Sequence, residues 1–107
     1  MRILASALVT GLFMSLGACS SPVAVITNAS SKPVSVEIHT DVGESYAATI
    51  PAKESVRLKI SGRDKQLWVV ATLADGRQIE SERRYVTSQG LVSSTITDTS
   101  VSISYEL

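Results

Sequence analysis

Few residues of this chain have the side chains that enzymes use for covalent or acid–base chemistry. The 107 residues include a single histidine, His39, and a single cysteine, Cys19. A catalytic nucleophile needs a base that a third group holds in place. His39 falls on the polar phase of an alternating segment, where a solvent-exposed side chain is expected. The sequence therefore predicts that the chain is not an enzyme and has no catalytic residue.

Metal, cofactor and substrate sites are not expected either. One histidine and scattered carboxylates do not make a zinc site. Asp41 and Glu44 flank Gly43 in a predicted turn, but a calcium loop needs more oxygen ligands than these two. A glycine-rich phosphate loop is also missing from the sequence. We therefore predict no metal, no cofactor and no small-molecule substrate.

Four residues are candidates for contact with a partner: Trp68, Arg63, Arg83 and Arg84. Tryptophan often anchors protein interfaces, but Trp68 belongs to a segment that is apolar on both phases, and we expect it in the core. Arg63, with Lys65, could bind lipid headgroups or a polyanion, and Arg83 and Arg84 could join them. The alternative is that these charges protect a strand edge. Acidic and basic residues are equal in number, so no basic field favours nucleic acid.

The first twenty residues have the features of a secretory leader. Arg2 is the only charge before Lys32, and residues 3–16 are mostly apolar. A membrane-spanning helix needs about 20 apolar residues, so this run is short for a membrane span. A basic start, a short apolar middle and small residues at the end are typical of a signal peptide. We expect residues 1–18 to be this signal.

The end of the run, Leu16-Gly17-Ala18-Cys19, resembles the lipobox of bacterial lipoproteins. The resemblance implies cleavage before Cys19, a diacylglycerol on its thiol and an acyl chain such as palmitate on its new amino group. Several acyl chains would give stable membrane anchoring. Ser20, in place of Asp, resembles the signal for transfer to the outer membrane, facing the periplasm. Ordinary cleavage after Ala18 and a buried free cysteine are the alternatives.

The rest of the chain, residues 23–107, alternates between apolar and polar residues with the period of two that indicates β-strands. The predicted strands cover residues 23–28, 34–39, 46–50, 56–61, 67–73, 77–86, 91–97 and 100–107. Turn residues separate them, and Asp75-Gly76 is a strong hairpin signal. In the segment 77–86, Ile79 and Tyr85 are predicted to share one face.

This pattern predicts an all-β fold, an antiparallel two-sheet sandwich of about 7–8 short strands. The segments "ITNASSKPVSVEI" and "ATIPAKESVRLKI" resemble the first strands of immunoglobulin-like or transthyretin-like domains of bacterial lipoproteins. The segment 91–105 carries a single charge, and it is either an interior hairpin or a strand that pairs with a partner.

Residues 19–22 would form the lipidated cysteine and a short tether. Three residues separate Cys19 from Val23, so the tether reaches only about 10 Å and the domain should lie against its membrane. These features favour a non-enzymatic binding or assembly factor with a protein partner in the bacterial envelope. The alternative function is an inhibitor of a periplasmic or host hydrolase such as lysozyme.

Overall fold

The computed structural model describes residues 21–107, whose regular structure is entirely β-strand. The nine strands are β1 Val23–Asn28, β2 Val34–Thr40, β3 Ser45–Ile50, β4 Ser55–Lys59, β5 Lys65–Thr72, β6 Gln78–Glu80, β7 Arg84–Val86, β8 Leu91–Ile96 and β9 Val101–Glu106. The predicted signal peptide and the predicted lipid attachment at Cys19 lie outside the described residues. Within residues 21–107 there is no helix with the length and apolar character that crossing a membrane requires.

The strands form two sheets that pack face to face. One sheet has the order β4-β1-β8-β9; the other has the order β3-β2-β5-β6, with β7 also paired to β5. Neighbouring strands are antiparallel except β1 and β8, which are parallel. The predicted all-β, two-sheet sandwich is confirmed. It differs in having nine strands and one parallel pair.

The core lies between the two sheets and follows the alternation of the sequence. In β2, Val34, Val36 and Ile38 are buried while Ser35 and Glu37 are exposed, because successive side chains of a strand point to opposite faces. The buried apolar side chains are Ala24, Ile26, Val34, Val36, Ile38, Ile50, Ile60, Leu67, Val69, Ala71, Leu73, Val86, Val92, Ile96, Val101 and Ile103. Burial of this apolar surface is the main force that holds the sheets together.

The predicted strand 77–86 is divided because one extra residue is inserted between β6 and β7. The register of pairing with β5 shifts by one residue between the two strands. At the insertion, the Val69 N–H donates to the Ser81 hydroxyl instead of to a carbonyl. A shift of one residue reverses which face a side chain occupies. Ile79 therefore packs against the core while Tyr85 is 58% exposed, and the prediction that they share a face is wrong.

Asn28 connects two loops at the end of the sandwich where β1 finishes. Its side chain is fully buried and donates to the carbonyls of Lys32, Ile50 and Pro51 at 2.8, 3.0 and 3.2 Å. Its carbonyl oxygen accepts from the N–H and the hydroxyl of Ser30. All the polar atoms of this buried amide therefore have partners, which is the condition for burying them without a large penalty.

Candidate binding surface on the five-stranded sheet

Trp68 lies on the outward face of β5, at the middle of the five-stranded sheet. Its neighbours Leu67 and Val69 are fully buried, whereas Trp68 is only half-buried. The prediction that Trp68 belongs to the core is therefore wrong. Gln66 and Thr72 lie on the same face of β5 as Trp68. These two polar residues were the signal in the sequence that this face points outward.

The indole of Trp68 is held from both sides. His39 is directly opposite on β2, and the two rings stack with centroids 5.9 Å apart and planes 16° apart. From the inserted segment on the other side of β5, the Arg83 guanidinium lies over the indole with its Cζ 3.8 Å from the ring centroid. This distance is that of a cation–π contact. His39 Nε2 also lies 2.9 Å from Glu37 Oε1, which fixes the imidazole.

Tyr85 extends this aromatic group toward the end of the sheet. Its ring is 58% exposed, and its hydroxyl donates to Asp64 Oδ2 at 3.3 Å. The negative charge of Asp64 raises the pKa of Tyr85, so the phenol is a neutral donor at physiological pH. We call the outward group Glu37, His39, Trp68, Arg83 and Tyr85 the Trp68 surface.

The structure does not bring the three candidate arginines together. Arg83 lies on Trp68, but Arg84 is on the opposite phase of the chain, where its Nη1 is 3.2 Å from Glu82 Oε1. Arg63 is exposed in the turn between β4 and β5, and no ion pair of its side chain occurs within residues 21–107. The Arg84–Glu82 pair at the sheet edge agrees with the interpretation that charge protects this edge.

Lys65 does not have the solvent-exposed position that contact with lipid headgroups requires. Its side chain has no exposed surface, and its Nζ is 3.4 Å from Glu44 Oε1. The same Nζ donates to the carbonyl and the hydroxyl oxygen of Ser61 at 2.7 and 2.9 Å. Two hydrogen bonds to Ser61 and the ion pair with Glu44 thus compensate the buried ammonium. The sequence interpretation of Lys65 as a headgroup ligand is wrong, because the aliphatic part lies on the inward phase of β5.

The same network shows why Ser61 and Lys65 are not a nucleophile and a base. The Ser61 hydroxyl donates to both Glu44 carboxylate oxygens at 2.8 and 2.9 Å, so its proton is directed away from Lys65. Hydrogen bonding by Ser61, aided by the charge of Lys65, lowers the pKa of Glu44. Lys65 Nζ itself donates to the Ser61 hydroxyl oxygen, so it is not placed to accept the Ser61 proton. This cluster holds the turns at one end of the sandwich together.

The Trp68 surface combines a guanidinium, a carboxylate, two hydrogen-bonding aromatic rings and one indole on the outer face of the five-stranded sheet. Among residues 21–107, no group of three or more histidine, cysteine, aspartate or glutamate side chains is arranged to hold a metal ion. Tryptophan, tyrosine and arginine are the residue types most enriched where proteins bind each other strongly.

Comparisons with known proteins relate the chain to others only by fold. No protein-family profile and no curated protein sequence matches it. An NMR structure of a protein from Eubacterium rectale is similar over 86% of this chain and 94% of that one, with a TM-score of 0.62 and 10% identity. The crystal structure of the human-specific toxin intermedilysin matches 81% of this chain but 23% of the toxin, with a TM-score of 0.40 and 11% identity.

Proposed function

We propose that this chain is a lipid-anchored protein of the bacterial periplasm, attached to the outer membrane through Cys19, and that it acts as a non-enzymatic binding or assembly factor. Its partner on the Trp68 surface is a protein of the envelope. The observation that carries this proposal is the outward position of Trp68, held between His39 and Arg83.

The anchoring half of the proposal is supported by the Leu16–Cys19 motif and by where the sandwich begins. The Pro22 carbonyl accepts a hydrogen bond from the Ile60 N–H at 3.0 Å, so Pro22 is already joined to the sheet. Only Ser20 and Ser21 lie between Cys19 and this fixed point. At about 3.3–3.6 Å per residue, a lipid on Cys19 keeps the domain within about 10 Å of the bilayer. A partner must therefore reach it at the membrane.

The binding half is supported by the restraint of the side chains on the Trp68 surface before any partner binds. A side chain that is free in the unbound protein loses about 0.5–1.5 kcal/mol of rotamer entropy when a partner immobilises it. The indole is already restrained by His39 and Arg83, and the Tyr85 ring by Asp64. Such a surface loses less side-chain entropy when it binds a protein than a surface of mobile side chains does. Its exposed ring edges also supply a large apolar contact area.

Site-specific photo-crosslinking in intact cells tests the binding half. A benzoylphenylalanine at position 85 should form an adduct with an envelope protein, and Trp68→Ala should abolish that adduct. The matched control is the same photoreactive residue in place of Ser104, which is exposed on the outer face of the other sheet. An adduct that survives Trp68→Ala, or equal adducts from both positions, would contradict the proposal.

Metabolic labelling with palmitate tests the anchoring half separately. The full chain should incorporate the label and fractionate with the outer membrane. Cys19→Ser should lose the label and leave the membrane, whereas Cys19 is untouched in Ser21→Ala, which should behave like the native chain. Label that persists in Cys19→Ser would show that the lipobox interpretation is wrong.

A further inference from the structure

The strand edges of this sandwich are not equally protected. Edge strands offer unpaired N–H and C=O groups to other strands, and charged residues or bulges normally block them. β4 carries Arg57 and Lys59, and the β6–β7 edge is interrupted by its inserted residue. β3, with the sequence SYAATI, has neither a charge nor an insertion. β9, the fourth edge, carries a charge only at its end, Glu106, so among residues 21–107 β3 is the one edge strand with neither a charge nor an insertion.

The free backbone groups of β3 follow from the hydrogen-bond alternation. The Asp41 N–H donates to the Gln66 carbonyl, so odd-numbered residues of the β2 segment point to β5 and even-numbered ones point to β3. Even-numbered residues of β2 face even-numbered residues of β3. The backbone groups of β3 that bond to β2 therefore also belong to even-numbered residues. Ser45, Ala47 and Thr49 therefore direct their N–H and C=O groups away from the sheet. No partner for them exists within residues 21–107.

The side of the sandwich between β3 and β4 is also incompletely covered. There Tyr46, Ala48, Val56 and Leu58 are only half-buried although they pack against the core. We call this opening the β3–β4 seam. At the opposite side of the sandwich, Tyr105 bridges β9 to the segment after β7, since its hydroxyl accepts from the Thr87 N–H at 3.2 Å. The exposed apolar strip and the free edge thus coincide at β3.

From this coincidence we propose that β3 pairs edge to edge with β3 of a second copy of this chain, antiparallel about a twofold axis at Ala47. In this register Ala47 faces its own equivalent, and Ser45 faces Thr49 of the other copy. All these residues are odd-numbered, so free N–H groups meet free carbonyls. The ladder ends where Gly43 would face Pro51, because proline has no N–H to donate.

We assign a second copy of the chain to the free β3 edge because β3 itself has the side-chain pattern that a strand added at this edge needs. A strand added here needs small, uncharged residues on the outward phase and apolar ones toward the seam. On its outward phase β3 has Ser45, Ala47 and Thr49, and on its inward phase it has Tyr46, Ala48 and Ile50. Self-pairing therefore opposes no like charges and covers the β3–β4 seams of both copies with apolar side chains. The two five-stranded sheets become one continuous sheet.

A charge-exchange experiment on the full chain in neutral detergent tests this pairing. Sedimentation equilibrium should show a dimer for the native chain. Ala47→Lys should raise the dissociation constant at least about fivefold, which is ~1 kcal/mol, because two ammonium groups then face each other at the axis. Ala47→Glu should do the same. An equal mixture of the two variants should recover dimers, since opposite charges then meet; this recovery also shows that both variants are folded.

Ser104→Lys is the matched control. It adds the same charge at an exposed position of the edge strand β9, and it should leave the dissociation constant unchanged. A native chain that is monomeric up to about 100 µM would overturn the proposal, as would an Ala47→Lys variant that dimerises like the native chain. Dissociation by Ser104→Lys but not by Ala47→Lys would assign the interface to β9 instead.

Discussion

His39 and Trp68 face each other across the β2–β5 pair, and their rings stack at 5.9 Å with an angle of 16° between the planes. Cross-strand pairs of this kind stabilise a sheet locally. Here the pair lies on the outward face, and Arg83 adds a cation on the indole. The three side chains thus restrain one another where they remain accessible. This distinguishes the Trp68 surface from an exposed tryptophan that is free to move.

The outward position of Trp68 predicts a moderate effect of removing it. Trp68→Ala should lower the free energy of unfolding by about 1–2 kcal/mol, against the ~3–5 kcal/mol typical of a buried tryptophan. Urea denaturation with an unchanged m-value measures this difference. A loss of 4 kcal/mol or more, estimated on the scale of core substitutions, would mean that the ring supports the core.

A double-mutant cycle should separate the contact between Trp68 and Arg83 from their other roles. Arg83→Ala and Trp68→Ala together should cost less than the sum of the single changes by about 0.5–1 kcal/mol, the value of a partly exposed cation–π pair. Arg63→Ala paired with Trp68→Ala is the control. Arg63 is exposed in a turn without a contact to the indole, so its cycle should be additive.

Much of the fold was predictable because alternation in the sequence records which phase is buried. In β2 and β4 the apolar phase is unambiguous, and the structure buries or half-buries it as predicted. The phase of β5 was ambiguous, since Lys65 shares a phase with Leu67 while Trp68 shares one with Gln66. Both phases of this segment were expected to be buried, whereas packing between the sheets buries only the phase of Leu67, Val69 and Ala71.

The remaining errors have a common physical origin in single polar contacts between distant segments. At the insertion the Ser81 hydroxyl takes the place of a carbonyl acceptor, and the one-residue shift of register reverses the face of Tyr85. The burial of Lys65 depends on Glu44, which is 21 residues earlier in the chain. The local alternation of apolar and polar residues does not reveal these contacts or the insertion. The insertion nevertheless determines which arginine reaches Trp68.

The buried amide of Asn28 predicts a large loss of stability upon its removal. Asn28→Ala should lower the free energy of unfolding by about 2–4 kcal/mol, because the Ile50 carbonyl and the Ser30 N–H lose buried partners. Ser31→Ala, exposed in the same loop, should stay within about 0.5 kcal/mol of the native chain. Equal losses from both variants, measured by chemical denaturation, would contradict the role assigned to Asn28.

The Glu44 network predicts that acid destabilises the chain. Because Ser61 and Lys65 lower the pKa of Glu44 below its ordinary value of 4.5, the unfolded state binds a proton more readily than the folded state. The stabilisation is therefore complete above about pH 4.5 and is lost as the pH falls through the lower folded value. Unfolding curves between pH 7 and pH 3 measure this decline.

Glu44→Gln provides the test of that assignment. This variant should be less stable at pH 7, since it leaves the buried Lys65 without its counter-charge, but its stability should fall less steeply in acid. Hydrogen bonds from Arg77 also lower the pKa of Asp75, so Asp75→Asn should remove a separate part of the decline. If Glu44→Gln keeps the native slope, the acid sensitivity arises elsewhere.

The lipid anchor and the β3 dimer, both proposed above, together predict how the chain lies on a membrane. The twofold axis reverses the strand direction, so the two Pro22 residues lie at opposite ends of the dimer. Short tethers from both ends reach one bilayer only when the strands run along it. The four-stranded sheet, whose outer face includes Arg57 and Lys59, then faces the lipid headgroups. Trp68 faces away from the bilayer, open to a partner.

Because the chain has a single tryptophan, fluorescence reports this orientation directly. In vesicles with brominated lipids, Trp68 should be unquenched, while a Trp68→Phe, Thr95→Trp chain should be quenched because Thr95 is exposed on the outer face of β8. Adding Ala47→Lys should weaken the quenching at position 95, since a monomer with one tether is free to tilt. Strong quenching of Trp68, or quenching at position 95 that Ala47→Lys leaves unchanged, would show that pairing through β3 does not set the orientation.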